Sequence, residues 1–184
     1  YELLRTAPDG TQTTIADFQA PTFTMANDTF FTDTGINTQD NQYFYDVAFY
    51  VNNEPEPLGF SNEVSSIFLS IASTDETNNL SWDFNVPWSN FEYTIWRQNF
   101  FTGIYDSIGI ATEPQFSDTG LVNGREYCYY IEARGSYGVD GIPSPLINLS
   151  QIACGIPIDN IPPCPPELTV TNLCDEDITC QEAD

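Results

Sequence analysis

Tyr1-Glu2-Leu3-Leu4-Arg5 returns as Tyr93-Thr94-Ile95-Trp96-Arg97, and Phe31-Thr32-Asp33-Thr34-Gly35-Ile36 returns as Phe116-Ser117-Asp118-Thr119-Gly120-Leu121. A third phrase, Tyr43-Phe44-Tyr45-Asp46-Val47-Ala48, returns as Tyr127-Cys128-Tyr129-Tyr130-Ile131-Glu132. The shifts are 92, 85 and 84 residues, in one order along the chain. Ordered matches with slightly shrinking shifts describe two copies of one module that differ by loop deletions. Such a period guides architecture better than local propensity does. It also points away from catalysis, because an enzyme needs one constellation whereas repeated modules supply length, rigidity or multivalent surface.

The second copy reads as a complete module. Ile67, Leu69 and Ile71 alternate with polar or small residues, and Leu80, Trp82 and Phe84 share one face after an expected turn at Asn78-Asn79. Such period-two patterns describe half-buried strands. Tyr93, Ile95 and Arg97 lie on one side of the next strand, Ile104 to Ile108 form a short one, and Phe116 starts another before Asp118-Thr119-Gly120. Tyr127, Tyr129, Ile131 and Ala133 alternate across a long strand, and Leu146 to Ile152 closes the module. Seven short strands separated by turns, with no helical period, predict an all-β antiparallel sandwich of the fibronectin type III or immunoglobulin-like class. Residues 1–65 then form a module lacking its first strands, 66–157 a complete one, and 158–184 a linker and the start of a third. A chain that opens on a mid-module strand reads as a window from a longer polypeptide.

Composition narrows the function. Four cationic residues stand against 27 acids, for a net charge of −23 in 184 residues. Phosphate recognition needs clustered cations, so nucleic acid is excluded as a partner and direct membrane insertion is not expected. Histidine is absent, which removes His-activated nucleophiles and His-ligated zinc. The 41% hydrophobic and 14% aromatic content supports a packed core despite the charge. The Pro-rich run from Gly155 to Pro166 predicts a stiff, extended joint in which Ile156, Ile158 and Ile161 pack on the module ends.

Leu80-Ser81-Trp82 on an early strand resembles the buried strand-B Trp of fibronectin type III domains, which makes Trp82 a core residue. Leu121-Val122-Asn123-Gly124-Arg125-Glu126-Tyr127 resembles the tyrosine corner of that family, with Asn123 in place of the usual Pro. The resemblance implies that Tyr127 bonds its hydroxyl back to the loop backbone while its ring packs inside. Asn37-Thr38-Gln39-Asp40-Asn41-Gln42-Tyr43 is a degenerate version, with Tyr43 at the corner. A narrower set also occurs together: Val86-Pro87-Trp88-Ser89-Asn90, the Asp-Thr-Gly turns, Glu126-Tyr127-Cys128-Tyr129-Tyr130, Gly135-Ser136-Tyr137-Gly138 and Asp159-Asn160-Ile161-Pro162-Pro163-Cys164-Pro165-Pro166. It looks like the tandem modules of large gliding-motility-associated Bacteroidota surface proteins exported by type IX secretion. That likeness implies an extracellular location on the cell surface, outside the bacterial outer membrane. It implies a rigid stalk or adhesin whose partners are neighbouring modules, surface glycans or other surface proteins. A spacer module of a secreted glycan-degrading enzyme is the alternative.

Candidate chemistry is sparse. Cys128 faces away from the core on its strand and Cys154 ends the adjacent strand, so a Cys128–Cys154 disulfide is expected, and a second one at Cys174–Cys180. That leaves Cys164 without a partner in the chain. Asp175-Glu176-Asp177 reads as a solvated loop, with Ca²⁺ ligation as the alternative, so no cofactor is expected. Asp33-Thr34-Gly35 and Asp118-Thr119-Gly120 resemble the aspartic-protease motif, yet each precedes a turn in its own module and the pair cannot converge. Trp88, Trp96, Phe100, Phe101 and Tyr105 crowd one strand pair; packing in the core or between modules is expected for them, with stacking on sugar rings or partner proteins as the alternative.

Overall fold

A computed structural model describes residues 1–20, 22, 30–52 and 54–160. Cys164, Cys174, Cys180, the acidic run at 175–177 and the start of the third module lie outside the described residues. The described chain is all-β, with thirteen strands and no helix.

Residues 2–65 build one sheet and residues 68–155 build two. The first sheet contains β1 (Glu2–Thr6), β2 (Gln12–Asp17), β3 (Phe44–Phe49), β4 (Gly59–Phe60) and β5 (Val64–Ser65). Its order is β2-β1-β3-β4, with β5 also on β3. The second sheet is β10 (Gln115–Thr119), β7 (Thr77–Asp83) and β6 (Phe68–Thr74), in that order. The third joins β8 (Ser89–Gln98), β9 (Tyr105–Ala111), β11 (Tyr127–Ser136), β12 (Leu146–Leu149) and β13 (Ala153–Gly155), in the order β12-β11-β8-β9 with β13 on β11. All pairings between named strands are antiparallel.

The second and third sheets face each other across one core, giving a β-sandwich. Ile67, Leu69, Leu80 and Trp82 meet Tyr93, Ile95, Tyr129, Ile131 and Ala133, each no more than 3% exposed. Trp82 packs edge-on against Tyr93 at 5.2 Å between ring centres. Strand alternation produces this core, because Leu80 and Trp82 on β7, Tyr93 and Ile95 on β8, and Tyr129, Ile131 and Ala133 on β11 stand at every second position.

The repeat is a repeat of register. Arg5 pairs with Tyr45 on β1–β3, and Arg97 with Tyr129 on β8–β11. Leu3 opposes Val47 as Ile95 opposes Ile131. Even the irregularities coincide: a bulge falls between Leu3 and Leu4 against β2, and between Ile95 and Trp96 against β9. Ser61 Oγ accepts from the Val47 amide at 2.9 Å, and Ser150 Oγ from the Ile131 amide at 2.8 Å. In each copy this serine separates the two short strands that pair with the long central one, so the strand expected from Leu146 to Ile152 stops at Leu149 and a second strand, β13, follows from Ala153. The inward face of the first sheet is more open than its counterpart. Phe49 is 46% exposed, whereas Ala133 at the matching position is fully buried.

Two local expectations are corrected. Asn78 and Asn79 lie inside β7, and the turn occurs three residues earlier, at Asp75-Glu76, where Glu76 has φ 49°. The Asn123 side chain fixes that turn by donating to Asp75 Oδ1 at 2.7 Å and accepting from the Glu76 amide at 2.9 Å. In the linker it is Pro157 that is fully buried, while Ile156 and Ile158 are 45% and 56% exposed. Pro157 accepts a 2.7 Å hydrogen bond from Gly124 and Ile158 donates to Thr74 O at 3.3 Å, so backbone bonds anchor the segment where isoleucine packing was expected. Ile161 lies outside the described residues.

Candidate functional site

The most elaborate polar cluster sits at one end of the sandwich. Asp118 at the end of β10 accepts from Arg97 at 2.6 Å and from the Tyr129 hydroxyl at 2.8 Å. Asn78, itself fully buried, donates to the Tyr129 oxygen at 3.1 Å and to Gly155 O at 3.4 Å, and contacts Ser73 Oγ at 2.7 Å. The Arg97 guanidinium also lies over the Tyr127 ring, 5.8 Å from its centre. Strand alternation aims Arg97 and Tyr129 inward, while the β10 pairing with β7 carries Asp118 over them.

The first copy repeats this arrangement. Arg5 donates to both oxygens of Asp33 at 3.1 Å, the Tyr45 hydroxyl donates to Asp33 at 3.0 Å, and Arg5 lies 5.8 Å from the centre of the Tyr43 ring. Asp33 and Asp118 are therefore each consumed within their own module. An aspartic-protease dyad needs two carboxylates sharing a proton, and here each carboxylate is held by an arginine and a phenol. Burial, and then the hydrogen bond to Asp33, push the Tyr45 phenol up to about 12. Burial raises Tyr129 further, with the Asp118 bond adding to it against the opposing Asn78 bond. Both phenols hold their protons at neutral pH. The arrangement is chemically a lock, with proton positions fixed and no exposed base.

These triads were not singled out from the sequence, although the signal was present. Each of the three repeated phrases contributes one member: Arg5 and Arg97, Asp33 and Asp118, Tyr45 and Tyr129. A charged residue kept at the same place in both copies of an apolar strand asks for a buried partner. Asn78 gave no comparable sign, because a loop Asn and a buried Asn read alike.

Trp82 is in the core, 3% exposed. The Tyr127 hydroxyl accepts from the Val122 amide at 3.0 Å, closing a corner of the expected kind. Tyr43 holds the matching position, one residue before β3, without that bond. In its loop Asn37 Oδ1 accepts from the amides of Gln39 and Asp40 at 3.1 and 3.3 Å, so the side chain of Asn37 organises the turn. Cys128 and Cys154 are directly opposed on β11 and β13 and form a disulfide with an S–S distance of 2.04 Å. Glu126 approaches Cys128 Sγ at 4.0 Å, and these three residues make the only metal-like cluster among the described residues. With both sulfurs in a disulfide, no thiolate is left there to bind a metal.

The aromatic group divides in two. Trp96 and Tyr130 stack across β8 and β11 at 5.8 Å, and Tyr105 meets Tyr130 edge-on at 5.0 Å, on the face turned away from the core. Trp88 packs against Tyr137 at 5.8 Å and against Gly135. Phe100 and Phe101 depart from the packing expectation, being 66% and 89% exposed at the tip of the β8–β9 loop.

Comparison with protein-family models gives no match, and comparison with curated proteins gives none either. Among solved structures, a pectate lyase, PelI of Erwinia chrysanthemi in complex with tetragalacturonic acid, is similar over 48% of this chain and 28% of its own, with 13% identity and a TM-score of 0.39.

Proposed function

We propose that this chain is a non-catalytic segment of a secreted cell-surface adhesin or filament, a rigid stalk of fibronectin type III-like modules of the kind carried by large gliding-associated Bacteroidota surface proteins. The observation that carries the reading is the duplication of an internal lock. Arg, Asp and Tyr close the same end of both copies in the same register. Evolutionary reuse of a structural device, with its acids neutralised in place, suits a spacer more than a reaction centre.

The junction between the copies supports stiffness. Ser65 at the end of β5 donates its amide to Asn85 O at 2.7 Å, and its hydroxyl accepts from the Asn85 amide at 2.8 Å. Asn148 donates to Ser65 O at 3.0 Å, and Gln39 reaches Ile152 O at 2.6 Å. Bonds from both sides of a short joint restrict rotation in a way that a free tether would not. The Cys128–Cys154 disulfide and the acidic composition suit an oxidising, exterior setting.

Small-angle scattering on residues 1–184 tests this directly. A narrow distribution of maximum dimension, broadened when Gln39 and Asn148 are both replaced by Ala, is expected. A distribution already broad in the unaltered chain refutes the stalk and favours a flexible enzyme spacer. Turnover of a peptide or glycoside that disappears with Asp33→Ala or Asp118→Ala refutes the non-catalytic reading.

A further inference from the structure

The second copy carries a feature that the first lacks. The β8–β9 loop is built by Asn99, whose side-chain oxygen accepts from the amides of Phe101 and Thr102 at 3.0 and 3.2 Å, and by Gly103 at φ +71°. Neither Phe100 nor Phe101 is needed for that turn, yet both rings stand largely in solvent. The corresponding loop of the first copy reads Ala7-Pro8-Asp9-Gly10-Thr11 and is polar. Two phenylalanines on a turn that would form without them point to something they contact.

Arg125 lies beside them, its guanidinium 4.8 Å from the centre of the Phe100 ring. The other three arginines pair with carboxylates: Arg5 with Asp33, Arg97 with Asp118, and Arg134 with Glu92 and Glu132. Arg125 has no carboxylate partner among the described residues. In a chain with 27 acids this is a site where the protein's own acids leave a cation available. Asn41 stands at the matching position of the first copy and bonds its own loop, donating to Asn37 O at 3.3 Å. Arg125 and both phenylalanines line a cleft of about 740 Å³ together with Tyr127, Gln98 and Glu126. Glu126 is the one acid on the cleft wall; Asp118 just behind is already held by Arg97 and Tyr129.

We propose that this cleft docks an extended peptide segment of a partner protein that carries a carboxylate next to an apolar side chain. The carboxylate meets the forked N–H groups of Arg125, held flat by Phe100, and the apolar side chain covers Phe101. Charge complementarity names the carboxylate, since a cation with exposed N–H groups is otherwise rare on this surface. No residue of the edge strand β9 lines the cleft, so the contact rests on side chains. An acidic and an apolar side chain on adjacent residues are a peptide's chemistry, and a neutral sugar offers Arg125 no charge. This site would give the proposed stalk a specific contact, but it stands or falls independently of stiffness.

Nuclear magnetic resonance titration of the full chain provides the test. The probe is an acetylated, amidated pentapeptide of Thr, Phe, Asp, Phe and Thr, beside a version with Asn for Asp. The acidic peptide should shift the resonances of residues 98–104 and 122–127. The Asn peptide should bind at least ~10-fold more weakly, and Arg125→Gln should weaken the acidic peptide by a similar factor. Phe101→Ser should also weaken it while leaving the disulfide and the dispersion of core resonances unchanged. Absence of shifts, shifts confined elsewhere, or equal binding of the two peptides overturns the proposal. Adsorption to phosphatidylcholine vesicles that needs Phe101 but not Arg125 also overturns it, by assigning the loop to a lipid surface.

Discussion

Replacing Asp118 by Ala tests the lock at its centre. The carboxylate is about one-tenth exposed (10%), with Arg97 at 2.6 Å and the buried Tyr129 hydroxyl at 2.8 Å. Breaking a buried ion pair by removing one partner costs roughly 3–5 kcal/mol. Arg97, however, is 31% exposed, so water recovers much of its solvation and about 1–2 kcal/mol remains for the pair. Tyr129 is fully buried and would keep only Asn78, losing a charge-assisted bond of ~1.5 kcal/mol. The total comes to about 3 kcal/mol of destabilisation. Urea unfolding followed by tryptophan fluorescence measures it, since Trp82, Trp88 and Trp96 all lie in the second copy. A double-mutant cycle with Arg97→Gln should return a coupling above ~1 kcal/mol. A loss under ~1 kcal/mol for Asp118→Ala, or strictly additive variants, would refute the reasoning that the triad stabilises the module.

Replacing Cys128 and Cys154 together by Ser should cost about 3.5 kcal/mol, from closing a loop with a sequence separation of 26, and an unchanged urea midpoint would discount the crosslink. Tyr127→Phe should lose ~1 kcal/mol with the Val122 bond, whereas Tyr43→Phe should be nearly neutral; equal effects in thermal unfolding would contradict the corner assignment. Tyr45 and Tyr129 have folded values above the ordinary 10.0, so the folded protein retains protons that the unfolded chain gives up. The stability they contribute is fully present below pH ~10 and is lost as pH rises through about 12. Urea midpoints should therefore fall steeply above pH ~10, less so in Tyr129→Phe, and a midpoint that rises there would be incompatible with buried phenols.

Much of the strand layout was legible because alternation encodes which face is buried. Trp82, Tyr93, Ile95, Tyr129 and Ile131 stand at every second position and all reach the core. The Cys128–Cys154 pair followed from the same logic, an outward residue beside an adjacent strand end. The turn at Asp75-Glu76 was missed because Asn78-Asn79 carries the stronger local turn preference, and tertiary bonding to Tyr129 and Gly155 overrode it. In the linker, Ile156 and Ile158 were expected inside on hydrophobicity alone, but backbone bonds to Gly124 and Thr74 chose Pro157.

By itself the sequence determined the all-β class, the two copies, their registration to the residue and the surplus of acid. Those properties are local or periodic, and a linear pattern carries them whole. Only the tertiary structure decided that Asp33 and Asp118 close locks with Arg5 and Arg97, that Asn37 replaces the Tyr43 hydroxyl in organising its turn, and that Arg125 has no carboxylate partner among the described residues. Each of these depends on which side chains meet across segments separated by loops of unequal length. Pairing of charges is a property of distance in space, and alternation along a strand fixes a side chain's face without naming what faces it.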